Sequence, residues 1–193
     1  PFGGVAFMWN KAIDKRIKLI GGNDDGNCLA ISLCMGSRST VIINVYFPCY
    51  ANTFQYRATV NRYIGFIESV LVEFNDANSN VVVVGDFNFP CNTDNIGFQA
   101  MSGLVKEFNL LCCDELFCGT ATYYNASLNH SSCIDHVFVN AALRYSIESV
   151  VVMDIAINQS YHRHIAVQFK FESDWPAANN MTLSVFGVEI ESK

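Results

Sequence analysis

At 193 residues, about half of them apolar, the chain is long enough for one large domain with a buried core and too short for two ordinary ones. A formal net charge of -6 excludes a protein that grips nucleic acid through a general basic surface, so any such contact has to be local. No run reaches the roughly 18 to 20 uninterrupted apolar residues of a membrane span, and the N-terminus lacks a basic start followed by an apolar core, so the reading is a soluble, untargeted protein.

The chain starts at Pro1, without Met, in what reads as a strand, and a missing beginning is the expectation. Short β-branched or alternating runs at 4–9, 16–20, 27–35 and 40–47 are separated by turn-rich pieces such as "GGNDDGN" and "GSRS", which predicts a meander of strands. From Thr53 to Asp76 the period changes. Tyr56, Val60, Tyr63, Ile64, Ile67, Val70, Leu71 and Phe74 recur three and four apart, with Arg57, Arg62, Glu68 and Glu73 between them, as in one long amphipathic helix. A strand at 81–84, a second amphipathic stretch at 98–108 and a buried strand at 110–113 follow, then further strands at 133–139, 146–153 and 164–171. The pattern suggests two packed sheets covered by helices. After about residue 172 it weakens, and "SDWPAANN" opens a segment, 173–193, that reads as a linker or tail.

The eight cysteines stand in apolar or strand-like contexts, with neither paired C-x-x-C units nor a helical His pair to mark a zinc site. Buried free thiols in a reducing, intracellular compartment are the reading. N-x-S/T sequons at Asn125, Asn129, Asn158 and Asn180 pull weakly towards secretion and are discounted in a chain rich in Asn and Ser.

The candidate chemistry sits at strand ends. "VVVVGDFNFP" delivers Asp86 and Asn88 from a strongly apolar strand, "SSCIDHVFVN" delivers Asp135, and "SYHRHIAVQF" puts His162 just before another strand. Singly, each has a plain structural reading as a turn former, a strand-end acid or a surface or core histidine. Together, two acids, an amide and a histidine suit phosphate-ester hydrolysis. A hard divalent cation takes carboxylate and amide oxygens and polarises the phosphoryl oxygen, while histidine and amide stabilise developing charge.

"GDFN" with "FP", "NVYFP" at 44–48, "SSCIDHVFV" at 131–139 and "SYHRHIAV" at 160–167 resemble, in order, the motifs of the endonuclease/exonuclease/phosphatase (DNase I-like) superfamily. The opening "PFGGVAFMW" resembles the endonuclease domains of non-LTR (LINE-like) retrotransposons. The likeness spans the chain to about Phe171. It implies a four-layer α/β sandwich over 1–172, two packed and mainly antiparallel sheets flanked by helices, lacking the first strand-helix-strand that precedes "PFGGVAF" in the family. It implies a metal-dependent phosphodiesterase that nicks DNA with Mg²⁺ or Mn²⁺, with a reverse transcriptase domain downstream in the parent element. Carried over residue by residue, Asp86 orients or activates the attacking water, and Asn88 contacts the scissile phosphate. Tyr46 hydrogen-bonds a phosphate oxygen, and Asp135 orients His162, which stabilises the transition state or shuttles a proton.

Two departures stand out. The family's last motif, Ser-Asp-His, here reads Ser160-Tyr161-His162, and a protonated phenol is a poor Mg²⁺ ligand. The family also supplies an Asn and a metal-binding Glu from the segment missing here. Asp94 and Asp154 are weak candidates to replace lost ligands, and His164 stands where the family has Pro. The expectation is therefore a retrotransposon-type endonuclease domain that is inactive as given. Two alternatives stay open: another phosphatase or phosphodiesterase of the superfamily, and a non-catalytic binding protein on the same fold.

Overall fold

The computed structural model describes residues 4–35, 38–75, 79–91, 93–117, 120–153, 160–170 and 180–185. Its first strands form a meander: β1 (Ile17–Gly22), β2 (Cys28–Met35) and β3 (Arg38–Tyr46) pair antiparallel. Residues 4–9, expected as a strand, take no regular structure and lead into a 3₁₀ turn at Lys11–Arg16. The stretch pairs with no strand: Val5 N–H donates to the Gly26 carbonyl in a loop, and Met8 is 90 % exposed.

The period change after residue 53 yields α1 (Phe54–Phe74). Thr53 caps it by accepting from the Tyr56 backbone N–H, and Tyr56, Val60, Tyr63, Ile67, Val70 and Leu71 form its buried stripe. The chain returns through β4 (Ser79–Asp86), buried along its whole length and parallel to β3. Continuous burial explains why its apolar run does not alternate. Next come α2 (Ile96–Glu107), capped by Asn95, and β5 (Leu110–Cys112). A small hairpin of β6 (Tyr123–Asn125) and β7 (His130–Ser132), in a stretch without a strand pattern, precedes β8 (Asp135–Asn140). The chain continues with β9 (Ile147–Met153), β10 (His164–Lys170) and β11 (Asn180–Val185). β11 pairs antiparallel with β10, so that part of the stretch read as a linker or tail is strand.

The main sheet has the order β1-β2-β3-β4-β8-β5, and the second β11-β10-β9. Only β3 and β4 run parallel among these pairs, so the mainly antiparallel expectation holds. One core fills the space between α1, α2 and the main sheet, around Val41, Ile43, Val81, Val83, Phe47, Phe87 and Phe89. The other lies between the sheets, where Ile42, Val82, Val84, Val137 and Val139 meet Ile165, Val167 and Phe169. The described residues thus supply helix, sheet and sheet layers of the expected α/β sandwich. Burying each of these side chains contributes about 1.5–3 kcal/mol, so the two cores fix the main sheet from both faces.

Among the described residues, no helix is long and apolar enough to cross a membrane. All seven cysteines in those residues are free thiols; Cys118 and Asp154 lie outside them.

Candidate active site

The site grows from the C-terminal end of β4. In "GDFNF" the side chains alternate: Phe87 and Phe89 are fully buried in the helix-side core, and Phe47 stacks on Phe87 with ring centroids 5.3 Å apart. Asp86 and Asn88 accordingly face the other way. Register then gathers the rest. Tyr46 on β3 is the partner of Asp86, and Asp86 is the partner of Asp135 on β8, so the three residues form a row across adjacent strands on one face of the sheet. This end of β4 requires Gly85. A Cβ there would stand 1.9 Å from the Val45 carbonyl oxygen, and its φ of +145° is one that L side chains rarely adopt.

His162 enters this row from the segment before β10 and is 5 % exposed. Its Nδ1–H donates to the Asp135 carboxylate, 3.1 Å from Oδ1 and 3.0 Å from Oδ2. With Nδ1 engaged there, Nε2 points at Asp86, 3.7 Å from Oδ2. This is too wide for a direct hydrogen bond and leaves the two groups flanking a common point.

Asn88 lies in the left-handed region at φ 53°, which Asn tolerates. Its backbone N–H donates to Asp86 Oδ1 at 2.9 Å, and its Nδ2 donates to Asp86 Oδ2 at 3.2 Å and to the Phe47 carbonyl at 2.8 Å. Asn88 therefore orients Asp86 and ties the ends of β3 and β4 together. Its Oδ1 receives the Cys49 thiol at 3.4 Å.

Two contributors, Thr122 and Tyr123, were not legible beforehand. The fully buried Thr122 accepts from the backbone N–H groups of both Ile134 and Asp135 through Oγ1, each at 3.1 Å, while its carbonyl receives the Arg163 N–H at 2.6 Å. It thereby clamps the start of β8 to the segment carrying His162. Tyr123 sets its ring edge-on to His162 at 5.1 Å. Ser160 accepts the His162 N–H at 3.0 Å. "GTATYYN" carries no motif, and Thr122 matters through contacts with residues 10 or more positions away.

The other candidates take different places. Asp94 is exposed in the loop after β4. Tyr161 is 39 % exposed with its ring 6.1 Å from that of Tyr123, and its carbonyl receives the Tyr124 N–H. His164 begins β10, buried opposite Met153.

Asp86, Asp135 and His162 offer ligand atoms that all lie within 4.8 Å of one another. In kind, these carboxylates suit a hard divalent cation, and Asp86 and Asp135 would hold it. Both are already hydrogen-bonded within the protein, which leaves much of the shell to water and to substrate phosphate, a mode Mg²⁺ accepts.

The model of the endonuclease/exonuclease/phosphatase family matches residues 1–154. The chain belongs to that family. Among solved structures, it is similar to the endonuclease domain of TRAS1, a telomere-specific non-LTR retrotransposon, at 14 % identity and a TM-score of 0.63, over 81 % of this chain and 70 % of that one. An AP endonuclease from Archaeoglobus fulgidus matches with the same identity and TM-score over 79 % of this chain and 70 % of its own. The 3′ phosphatase NExo from Neisseria, bound to a product DNA hairpin, matches at 16 % identity and a TM-score of 0.59, over 80 % of this chain and 70 % of its own. At these identities the likeness establishes the DNase I-like fold. No curated protein matches the sequence.

Proposed function

We propose that this family member is a phosphodiesterase domain of retrotransposon-endonuclease type, acting on DNA, whose hydrolysis is impaired by Tyr161 at the motif carboxylate position. The observation that carries the reading is the convergence of Asp86, Asp135 and His162 at one end of the main sheet. The neighbours named as an endonuclease domain, an AP endonuclease and a 3′ phosphatase with product DNA support a nucleic-acid phosphate as the substrate.

In this reading Asp86 orients a water for attack on phosphorus and accepts its proton. Asp135 keeps the imidazole in the tautomer that presents Nε2 to the phosphate, where His162, once protonated, stabilises the developing charge. Tyr46 donates to a phosphate oxygen from the same row, and Asn88 reaches the phosphate by releasing one of the two acceptors its Nδ2 now serves. A bound Mg²⁺ supplies Lewis-acid polarisation of the phosphoryl oxygen. With Tyr161 supplying no carboxylate, Mg²⁺ would be held weakly and turnover would be impaired.

Supercoiled-plasmid nicking tests this. The chain is expected to leave plasmid intact, and Tyr161→Asp alone is expected to help little. Tyr161→Asp combined with a family-like strand-helix-strand placed ahead of Pro1 is expected to nick with Mg²⁺, and to lose that activity on Asp86→Ala or His162→Ala. Nicking by the unaltered chain that vanishes on Asp86→Ala would overturn the claim of impairment. A folded, repaired chain that never cuts would favour a second reading, a binding module that keeps the sandwich, for which the phenol of Tyr161 is the supporting observation.

A further inference from the structure

Directly behind the strand end that carries Asp135 lies a cluster that the hydrolytic reading does not use. His136 follows Asp135 in β8 and faces the helix-side core, fully buried among Phe87, Phe89 and Phe138. Its Nε2 sits 2.7 Å from the Phe89 carbonyl, an acceptor only, so Nε2 carries a proton. Nδ1 then points into a pocket of acceptors and thiols. Asp114 Oδ2 is 2.6 Å away, and Cys91 Sγ is 3.7 Å from Nδ1 and 3.3 Å from that carboxylate oxygen. The other oxygen, Asp114 Oδ1, is buried without a hydrogen-bond partner. Cys112, at the end of β5, adjoins Cys91 and Asp114, which both act on its thiol.

We propose that Cys91, Cys112, Asp114 and His136 form a second metal site, for Zn²⁺, on the opposite face of the main sheet from Asp86 and Asp135. Three observations converge on it. The ligand atoms of Cys91, Asp114 and His136 all lie within 4.8 Å of one another, and Cys112 adjoins two of them. With Zn–S and Zn–N bonds of the usual length, tetrahedral geometry places sulfur and nitrogen ligands about 3.6 Å apart, close to the Cys91–His136 separation. Within that trio the main change is that the hydrogen-bonded Asp114–His136 pair parts by about 0.7 Å, and Cys112, outside the 4.8 Å group, moves in to serve as the fourth ligand.

The second observation is the bond from Nε2 to the Phe89 carbonyl, the outer contact that orients a metal-binding imidazole and leaves its other nitrogen unprotonated. The third is Asp114 Oδ1, a carboxylate oxygen buried in the cluster without a hydrogen-bond partner, a demand that a cation held there would meet. Two thiolates make the set soft enough to reject Mg²⁺.

The spacing signal for such a site is absent because its ligands come from the loop after β4, from β5, from the turn after it and from β8. Binding releases the thiol protons.

The test is the metal content of the chain purified from zinc-supplemented medium, together with cobalt exchange. The expected result is about one zinc per chain that survives dialysis against Mg²⁺, and visible thiolate-to-cobalt absorption after exchange. Cys91→Ser and Asp114→Asn should each weaken zinc binding by at least about 100-fold, the upper range for losing even an outer contact. Asp86→Ala should keep its zinc. Circular dichroism of each variant confirms folding, and for any variant that does not fold, zinc protection of Cys91 from alkylation in the unaltered chain decides. No retained zinc with no such protection, zinc lost on Asp86→Ala but kept on Cys91→Ser, or a Cys91–Cys112 disulfide in the native protein would each overturn the proposal.

Discussion

Asp135 and His136 are consecutive in β8 yet serve opposite faces of the main sheet, Asp135 holding the Nδ1 of His162 and His136 meeting Asp114 and Cys91. Strand alternation alone separates them. The conformation of one peptide therefore orients both a candidate hydrolytic site and a thiol-rich cluster, and the outcomes below are chosen to move one without the other.

Asp135→Asn in the repaired, Mg²⁺-dependent chain leaves the fold intact but presents His162 with an amide that can donate as well as accept, so the imidazole loses its single tautomer. Plasmid nicking should fall by about 10²-fold or more, the scale of a misdirected acid–base group. Unchanged nicking would remove Asp135 from the machinery.

Thr122→Val keeps the volume of the buried side chain and strips the acceptor from two backbone N–H groups, those of Ile134 and Asp135. Each unsatisfied donor costs about 1–3 kcal/mol, so urea denaturation should show a loss of at least that size, while Thr122→Ser should recover most of it. Equal midpoints for the Val and Ser variants would contradict the clamp.

Gly85→Ala should abolish soluble expression, because the new methyl meets the Val45 carbonyl in a parallel pair buried on both sides, an effect above about 4 kcal/mol. Gly65→Ala, in α1 with nothing within 4 Å of the added methyl, is the control and should stabilise by up to about 1 kcal/mol.

Burial, helped by Asp25, pushes the Cys28 thiol up from 9.0 to about 12, and burial, helped by Asp114, does the same for Cys113. Both folded values are raised, so their stabilising effect is whole below pH 9, where folded and unfolded thiols are alike protonated. It is lost as pH rises towards 12, since only the unfolded chain gives up the protons. Stability should fall across that window by about 1.4 kcal/mol per pH unit for each thiol. Cys28→Ala should flatten the alkaline limb of the unfolding curve by one such slope, at the cost of a lower stability at neutral pH.

By itself the sequence determined the local elements and the faces they present. The 3.6-residue stripe of Tyr56, Val60, Tyr63 and Ile67 specified α1, and the run into "GDFNF" specified β4, with Phe87 and Phe89 inward and Asp86 and Asn88 outward. Periodicity and turn chemistry are properties of neighbouring residues, so a linear reading reaches them. Only the tertiary structure decided the rest: that register lines up Tyr46, Asp86 and Asp135, that Thr122 clamps β8 to the His162 segment, and that residues 4–9 lack a strand partner. The same holds for Asn180–Val185, whose edge pairing with β10 is invisible in a weakly patterned tail. The meeting of Cys91, Cys112, Asp114 and His136 has the same origin. Cross-strand neighbours are set by which edges pair and in which register, and that choice is made by two cores closing on the main sheet together, not by any stretch of chain alone.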